Sequence, residues 1–356
     1  MKEIVKAFCG AFSNGMPSLS KELVKTLCDA RGISGNEVEV RKVIERELEG
    51  VCKLTVDPLG NLIAEKDGKA PNKKIVIFAH MDEVGMLVTR VAEGGFIKFS
   101  PIGIDPVVLH GRRVRVGKNN LPGVIGAKAT HNLEGDEKEK TPKAEALYID
   151  IGAENREEAA ALVCPGDAIT FDDPFIELGE GYVCSRALDD RLGCAALIEL
   201  LKSDCPYAVT GVFTCGEESS MFGATAAANA TRPEIAVVLE TTTAGDVDGA
   251  PADKVVCALG KGPVVSFADR GTLFDRELFA VAFDAAKEND IPVQTKEGIF
   301  GGNEGRVVSR AGKGAQVCAV SVPCRYLHSA SVVAKWSDAE YSAKLLPILV
   351  ERFAKL

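Results

Sequence analysis

The chain has 356 residues, of which 46% are hydrophobic, enough to bury the cores of about two domains of ordinary size. Its 51 Asp and Glu residues outnumber 42 Lys and Arg residues, which gives a formal net charge of −9. A surface this acidic repels phosphate backbones and anionic lipids, so nucleic acid and membrane surfaces are poor candidates as partners. No apolar run approaches the length of about 18 residues that predicts a membrane-spanning helix.

The first 16 residues, MKEIVKAFCGAFSNGM, do not form the apolar core of a signal peptide, because Glu3 and Lys6 interrupt it. This segment predicts a short helix or an irregular extension. The eleven cysteines are scattered without a CxxC pair, which fits neither a disulfide framework nor a structural zinc site. We therefore expect a protein of the reducing cytoplasm.

Apolar residues three and four apart predict two helices between residues 19 and 50, separated by a breaker at 32–35, with Asn36 as the N-cap of the second. From Leu54 the period changes, and TVDPLGNLIAE predicts a hairpin and KKIVIFA a buried strand. Strands and helices then alternate: AVTGVFT, a helix near 221–230, IAVVLE, a helix at 274–289, QVCAVSV and a helix at 338–353. This alternation predicts an α/β fold with a mixed, mostly parallel sheet sandwiched by helices.

The alternation stops in the middle of the chain. Between about residues 94 and 172 only residues 154–162 predict a helix, and the rest is short β-like pieces separated by Gly and Pro. We predict a small β-barrel-like domain at 91–172, inserted into a discontinuous α/β domain formed by residues 1–90 and 173–356.

Histidines and carboxylates follow the predicted strands. They are His80, Glu217, Glu218, Glu240 and His328. Taken singly, each is more simply interpreted as a solvated loop residue. Ligands of α/β proteins bind at the carboxyl ends of the strands, however, and nitrogen and oxygen donors without thiolate are typical of catalytic divalent-metal sites. A further pair, Asp189 and Asp190, lies where a loop enters an amphipathic helix, a position that also suits the helix dipole.

Two histidines and several carboxylates are enough for two metal ions that share one bridging Asp. Asp82, two residues after His80, is suited to accept the second ring N–H and to fix the tautomer. Paired ions polarise a carbonyl and lower the pKa of water, and a remaining carboxylate is then free as general base. The residues thus predict hydrolysis of an amide or related acyl bond.

Five motifs occur in a fixed order between residues 73 and 329: HMDEVG, ALDDRLG, GEES, ETTTAGD and RYLHS. Together they resemble the tetrahedral (TET) aminopeptidases, the glutamyl aminopeptidase type of dinuclear metallopeptidase. GFIKFSPIGIDPVVLHGRRVRV, GVIGAKATH and LYIDIGA resemble the inserted β-domain of that family. The resemblance implies a zinc-peptidase-like fold and a cytoplasmic aminopeptidase that removes N-terminal residues from short peptides. It also implies that the insert mediates dimerisation and that the dimers form a hollow dodecamer.

The resemblance also implies roles for individual residues. One metal is held by His80, Asp189 and Glu240, and the other by Asp189, Glu218 and His328, so that Asp189 is the bridge. Glu217 matches the general base, which takes a proton from the attacking water and passes it to the leaving amine. Asp82 matches the residue that orients His80, and Asp190 supports the bridge without being assigned as a ligand. The expected ions are zinc or cobalt, with manganese as an alternative.

Two positions depart from the family pattern. Relatives often carry Asp where this chain has Glu240, whose longer side chain still reaches a metal. Many relatives also read Thr-Asp-Ala where this chain has Asn303, Glu304 and Gly305. This loop is expected close to the substrate side chain, so acidic, basic and aliphatic N-terminal residues all remain open.

Three other functions compete with the aminopeptidase. A related dinuclear deacylase or carboxypeptidase needs an acyl group or a free carboxylate on its substrate instead of a free amine. A glycoside hydrolase uses two carboxylates without metal. A binding module without activity is disfavoured, because every motif position keeps a residue that can bind a metal.

Overall fold

The computed structural model describes residues 17–135 and 139–356; the helix or extension predicted for residues 1–16 lies outside them. The described chain forms a ten-stranded mixed sheet flanked by helices and a closed six-stranded barrel. The predicted fold class, a helix-sandwiched α/β sheet with a small barrel-like insert, is confirmed. None of the described helices is both long and apolar enough to cross a membrane.

The strands are numbered in chain order. They are β1 Lys53–Val56, β2 Leu62–Lys66, β3 Ala70–His80, β4 Gly85–Val91, β5 Ile97–Ile102, β6 Arg113–Val116, β7 Leu121–Gly126, β8 Tyr148–Asp150, β9 Ala168–Phe171, β10 Ile176–Leu178, β11 Tyr182–Ser185, β12 Tyr207–Thr214, β13 Ile235–Thr243, β14 Val264–Ser266, β15 Gln316–Arg325 and β16 Val332–Lys335. The α-helices are α1 Lys21–Asp29, α2 Val38–Leu48, α3 Arg156–Leu162, α4 Leu188–Lys202, α5 Glu217–Ser220, α6 Phe222–Thr231, α7 Arg276–Glu288, α8 Gly305–Val308 and α9 Trp336–Ala354.

The large sheet has the strand order β1-β2-β12-β3-β13-β15-β16-β11-β10, and β14 pairs with β15. Its centre is parallel: β3 lies between β12 and β13, and β13 pairs with β15 in the same direction. The flanking strands are antiparallel. The carboxyl ends of β12, β3, β13 and β15 therefore meet at one edge of the sheet, where the candidate residues were predicted to gather.

Strand β3 shows why its sequence is a continuous apolar run. Ile75 and Ile77 face one side and pack in the same core as side chains of α4 and α9. Val76 and Phe78 face the other side and pack with α6 and α8. A strand covered on both faces cannot alternate apolar and polar residues, because every side chain is buried.

The barrel closes in the order β4-β5-β8-β7-β6-β9. Apolar side chains from its strands fill the interior, including Met86, Val114, Ile149 and Ile169. Its first strand begins at Gly85, six residues before the predicted boundary at 91. The chain thus passes from β3 into the barrel within a few residues. This short connection carries the candidate site residue Asp82.

A buried ion cluster lies at this connection. The Glu83 carboxylate, which is 1% exposed, lies 2.8 Å from Nε of Arg186 and 3.6 Å from Nη2 of Arg191. It also accepts the N–H of Gly32 at 3.1 Å. Removing one partner of a buried ion pair leaves a charge uncompensated, which is strongly destabilising. The cluster therefore ties the connection after β3 to the segment that carries Arg186 and Arg191.

The prediction that Asn36 caps the second helix is wrong. Helix α2 begins at Val38, and Glu37 occupies the N-cap position without a side-chain hydrogen bond to the helix. The Glu37 carboxylate instead accepts the N–H of Gly35 at 2.7 Å and that of Gly216 at 3.0 Å. The side chain at the cap position therefore bonds to Gly216, far away in the sequence, and not to its own helix.

Candidate metal centre

His80 ends β3 and is 1% exposed. Its Nδ1 lies 2.9 Å from the carbonyl oxygen of Asp82, an atom that can only accept, so Nδ1 carries the proton of the neutral ring. Its Nε2 lies 3.3 Å from Oδ1 of Asp189 and 3.3 Å from Oε1 of Glu240. In this tautomer the Nε2 lone pair faces two carboxylate oxygens, an arrangement that a cation between them stabilises.

Glu240 lies within β13, three residues before the strand ends at Thr243, and not at the strand end as predicted. The pairing of β13 with β3 ends at Val238 and Phe78, whereas the pairing with β15 continues to Thr243. Glu240 therefore lies in the part of β13 that no longer pairs with β3. Its side chain reaches the imidazole of His80. The strand continues because β15 supports it on its other edge.

Glu218 and His328 form the opposite side of the site. Glu218 lies on α5, directly after β12, and its Oε2 is 3.3 Å from Nε2 of His328. His328 follows β15 in a left-handed conformation with φ of 59°, and its side chain is 44% exposed. This histidine thus faces the solvent-accessible side of the site, while His80 lies at its floor.

Asp189 lies between the two histidines. Its Oδ1 faces His80, and its Oδ2 is 4.0 Å from Nε2 of His328. Burial by itself raises the pKa of the Asp189 carboxyl, and a positive charge on its His80 side, which without metal is a protonated His80 ring, holds that pKa below the usual range. For Glu240, burial and the neighbouring Asp189 raise the pKa to about 8. Closely spaced buried carboxylates of this kind either bind a proton or bind a cation.

The residues present fit divalent cations. Zinc binds His nitrogen and carboxylate oxygen at about 2.1 Å, so two donors of a tetrahedral site lie about 3.4 Å apart. Three donor pairs here are separated by 3.3 Å. Within the described ranges, Oδ1 of Asp189 and Oε1 of Glu218 are buried without a hydrogen-bond partner. The donor atoms of His80, Asp189 and Glu218 all lie within 4.8 Å of one another.

Asp190 is fully buried beside the bridge position. Its Oδ1 accepts the N–H of Gly193 at 3.0 Å, and one of its oxygens also lies within 4.8 Å of donor atoms of Asp189 and Glu240. A Cβ atom on Gly193 would lie 2.2 Å from Oδ2 of Asp190, so only glycine leaves room for this carboxylate. Asp190 therefore supports the first turn of α4, and we do not assign it as a ligand.

Asp82 holds more than the imidazole ring. The Oδ1 atom of Asp82 lies 3.6 Å from Nδ1 of His80, whereas the carbonyl oxygen of Asp82 lies 2.9 Å from the same nitrogen. Its carboxylate accepts the N–H of Glu217 and that of Glu218, each at 3.0 Å, and the hydroxyl of Ser34 at 2.6 Å. Asp82 thus orients His80 through its backbone and the turn of the Glu pair through its side chain.

Glu217 lines an open cavity of about 490 Å³ together with Asp189, Glu218, Glu240 and His328. Burial and the nearby Glu240 carboxylate raise the pKa of Glu217 well above its usual range. Glu217 therefore borders the same cavity as the predicted metal ligands.

Sequence reasoning missed two buried residues near the site. Lys296 lines a second cavity of about 320 Å³ beside Glu240 and Asn303. Glu37 supports the turn that carries Glu217. Neither follows an apolar strand, and no motif in the sequence marks them. The second position of the departing loop, Glu304, is also buried, and burial raises its pKa to about 7.

The sheet and the barrel resemble those of solved aminopeptidases. The structure of a TET aminopeptidase from the marine sediment archaeon Thaumarchaeota archaeon SCGC AB-539-E09 superposes with a TM-score of 0.89, at 31% identity over 93% of this chain and 95% of that one. A TET1 peptidase of Pyrococcus horikoshii that can assemble into a tetrahedron or a large octahedral shell gives a TM-score of 0.81, at 36% identity over 92% and 98%.

A family model described as M42 glutamyl aminopeptidase matches residues 60–345. The lysyl aminopeptidase of Pyrococcus furiosus is 31% identical over 93% of this chain and 96% of its own length. The chain therefore belongs to the M42 family and is a peptidase, as the order of its motifs predicted. The similarity extends over both the sheet and the barrel.

Proposed function

We propose that this chain is a dinuclear metal-dependent aminopeptidase that removes N-terminal residues from short peptides. The observation that carries the proposal is the buried Nε2 of His80, which faces carboxylate oxygens of Asp189 and Glu240 at 3.3 Å each. One ion would be held by His80, Asp189 and Glu240. The other would be held by Asp189, Glu218 and His328.

The protein residues divide the chemistry among them. When bound, two divalent ions supply Lewis acidity to the scissile carbonyl and lower the pKa of water in the site. Glu217 then accepts a proton from the attacking water at its carboxylate and donates it to the leaving amine. Asp82 keeps the Glu217 backbone in place through its 3.0 Å hydrogen bond.

Zinc and cobalt suit this set of imidazole and carboxylate donors best, and manganese is the alternative. We further propose that the barrel mediates dimerisation and that the dimers form a tetrahedral dodecamer; the TET1 peptidase of P. horikoshii can assemble into a tetrahedron or a large octahedral shell. A cytoplasmic location agrees with the ten cysteines in the described part of the chain, all of which are free thiols.

The free α-amine of the substrate provides the decisive test. We expect aminoacyl 4-nitroanilides and C-amidated dipeptides to be hydrolysed and their N-acetylated counterparts to be resistant, because an aminopeptidase binds the free amine. The measurement is initial rate over a panel of matched substrates. Cleavage that survives N-acetylation contradicts the aminopeptidase and favours the related deacylase or carboxypeptidase.

The same panel tests the dependence on metal. Dialysis against a chelator should abolish hydrolysis, and separate addition of zinc, cobalt or manganese should restore it to different extents. Unchanged activity after complete metal removal would instead favour a hydrolase that uses carboxylates alone.

We propose that Lys296 selects the N-terminal residue of the substrate. It is 6% exposed, and within the described residues its ammonium group donates to the carbonyl oxygen of Phe300 alone, at 3.5 Å. Burial lowers the pKa of Lys296, although the charges of Asp269 and Glu240 favour its protonated form. Among the described residues no carboxylate lies within 4.0 Å of this ammonium. An Asp or Glu side chain of the substrate would supply the missing partner.

We therefore expect kcat/KM for a glutamyl anilide to exceed that for a lysyl anilide. Lys296→Met should lower kcat/KM for the glutamyl substrate by about 10- to 100-fold, the value of a hydrogen bond to a charged group, and leave a leucyl substrate nearly unchanged. Lys261→Met, at an exposed lysine, is the matched control. Equal losses on glutamyl and leucyl substrates would exclude Lys296 as the residue that selects acidic N-termini.

A further inference from the structure

The short helix α5 carries both Glu217 and Glu218, and other segments of the chain hold its start. Gly216 precedes it in a left-handed conformation with φ of 68°, and its N-cap makes no side-chain hydrogen bond. Three successive N–H groups donate to carboxylates far away in sequence. Gly216 donates to Oε1 of Glu37, and Glu217 and Glu218 donate to Oδ1 and Oδ2 of Asp82, each at 3.0 Å.

The buried carboxylate of Glu37 bonds to its own loop and to Gly216. It is 5% exposed and belongs to the loop between α1 and α2, 179 residues before Gly216. Its Oε1 also accepts the N–H of Gly35 at 2.7 Å, so the bend of its own loop aims it at Gly216. Burying a carboxylate costs free energy unless it accepts hydrogen bonds. Glu37 accepts them from Gly35 and from Gly216, the residue before α5, and not from the N–H groups of α2.

We propose that Glu37 is a positioning residue for Glu217, an inference that rests on the proposed function. The Gly216 N–H fixes where the chain leaves β12, and Asp82 fixes the next two residues. With both carboxylates in place the turn has one orientation, and the carboxylate of Glu217 faces the cavity. Without Glu37 the first of the three N–H groups is free, and Glu217 loses its fixed direction.

The test compares three substitutions. Glu37→Gln keeps an oxygen acceptor and should retain kcat within about threefold. Glu37→Leu removes the acceptor and should lower kcat by about 10- to 100-fold, as loss of supporting hydrogen bonds does at metal sites, with KM and metal content within twofold. Glu37→Asp keeps the charge but shortens the side chain, and its kcat should fall between the two. If the Leu variant fails to fold, the comparison of kcat between Glu37→Gln and Glu37→Asp still tests the proposal.

Matched substitutions at Glu39, an exposed residue in the first turn of α2, should leave kcat unchanged. Hydrogen exchange of a peptide covering residues 213–221 gives a readout that does not need substrate: exchange should be faster in Glu37→Leu and Glu37→Asp than in Glu37→Gln. Wild-type kcat and exchange in both the Leu and the Asp variants would overturn the proposal. An inactive wild-type enzyme contradicts the proposed function instead, and the exchange experiment still decides the role of Glu37.

Discussion

Replacing Glu217 by glutamine should lower kcat by about 10²- to 10⁴-fold, the usual contribution of a general base. The Gln side chain has nearly the same volume but cannot accept the proton of the attacking water. Both ions should remain, because Glu217 belongs to neither ligand set and its backbone N–H still bonds to Asp82. The measurements are kcat on a glutamyl anilide and metal content of the dialysed protein.

The neighbouring Glu218→Gln is the informative comparison. Its carboxylate lies 3.3 Å from Nε2 of His328, so this variant should lose affinity for one ion and regain activity with excess metal. Glu217→Gln should regain nothing. A Glu217→Gln enzyme that hydrolyses peptides at the wild-type rate contradicts the assignment of the general base.

The ionisation of Glu217 also predicts the acidic limb of the pH profile. A general base works only when it is deprotonated, so activity must fall as the pH falls through its pKa. Burial and Glu240 raise the pKa of Glu217, and bound cations would lower it again. The acidic limb should therefore lie at higher pH in an enzyme with one ion than in one with two.

The sequence was informative where one strand determines the position of one side chain. His80 follows an apolar run long enough to be a strand covered on both faces, and parallel neighbours bring the ends of such strands to the same edge. The motif order then identified the family, which the sheet, the barrel and the solved relatives confirm. The last helix, predicted at 338–353, forms at Trp336–Ala354. The helix after Asp189 and Asp190 was predicted to be amphipathic, which is wrong, because α4 is buried over nearly its whole length.

The sequence was uninformative where a distant contact determines the local structure. Asn36 is a good cap by composition, yet Glu37 takes the cap position because Gly216 binds its carboxylate. Likewise, β13 runs past Glu240 because β15 continues to pair with it. Lys296 is a lone charged residue in a loop, and only the folded chain shows that it is buried beside the site. Local patterns cannot report such contacts.

Asp189→Ala should remove both ions and lower kcat/KM by about 10³-fold or more, since no ion remains to stabilise the developing oxyanion. The two oxygens of this carboxylate face both histidines, with distances of 3.3 Å to Nε2 of His80 and 4.0 Å to Nε2 of His328. His328→Ala should remove only one ion, because His80 and Glu240 remain for the other. Metal analysis after dialysis distinguishes these stoichiometries directly.

Asp189→Asn controls for folding, since it keeps the volume of the side chain and one oxygen but loses the charge that two cations share. It should bind fewer ions than the wild type and remain folded by thermal melting. If Asp189→Ala kept two ions, the carboxylate would not be the bridge; if His328→Ala lost both, His328 would not serve one ion alone. The first outcome would place the ions on the outer acids, among them Asp190, whose Oδ2 is buried without a partner in the described part of the chain.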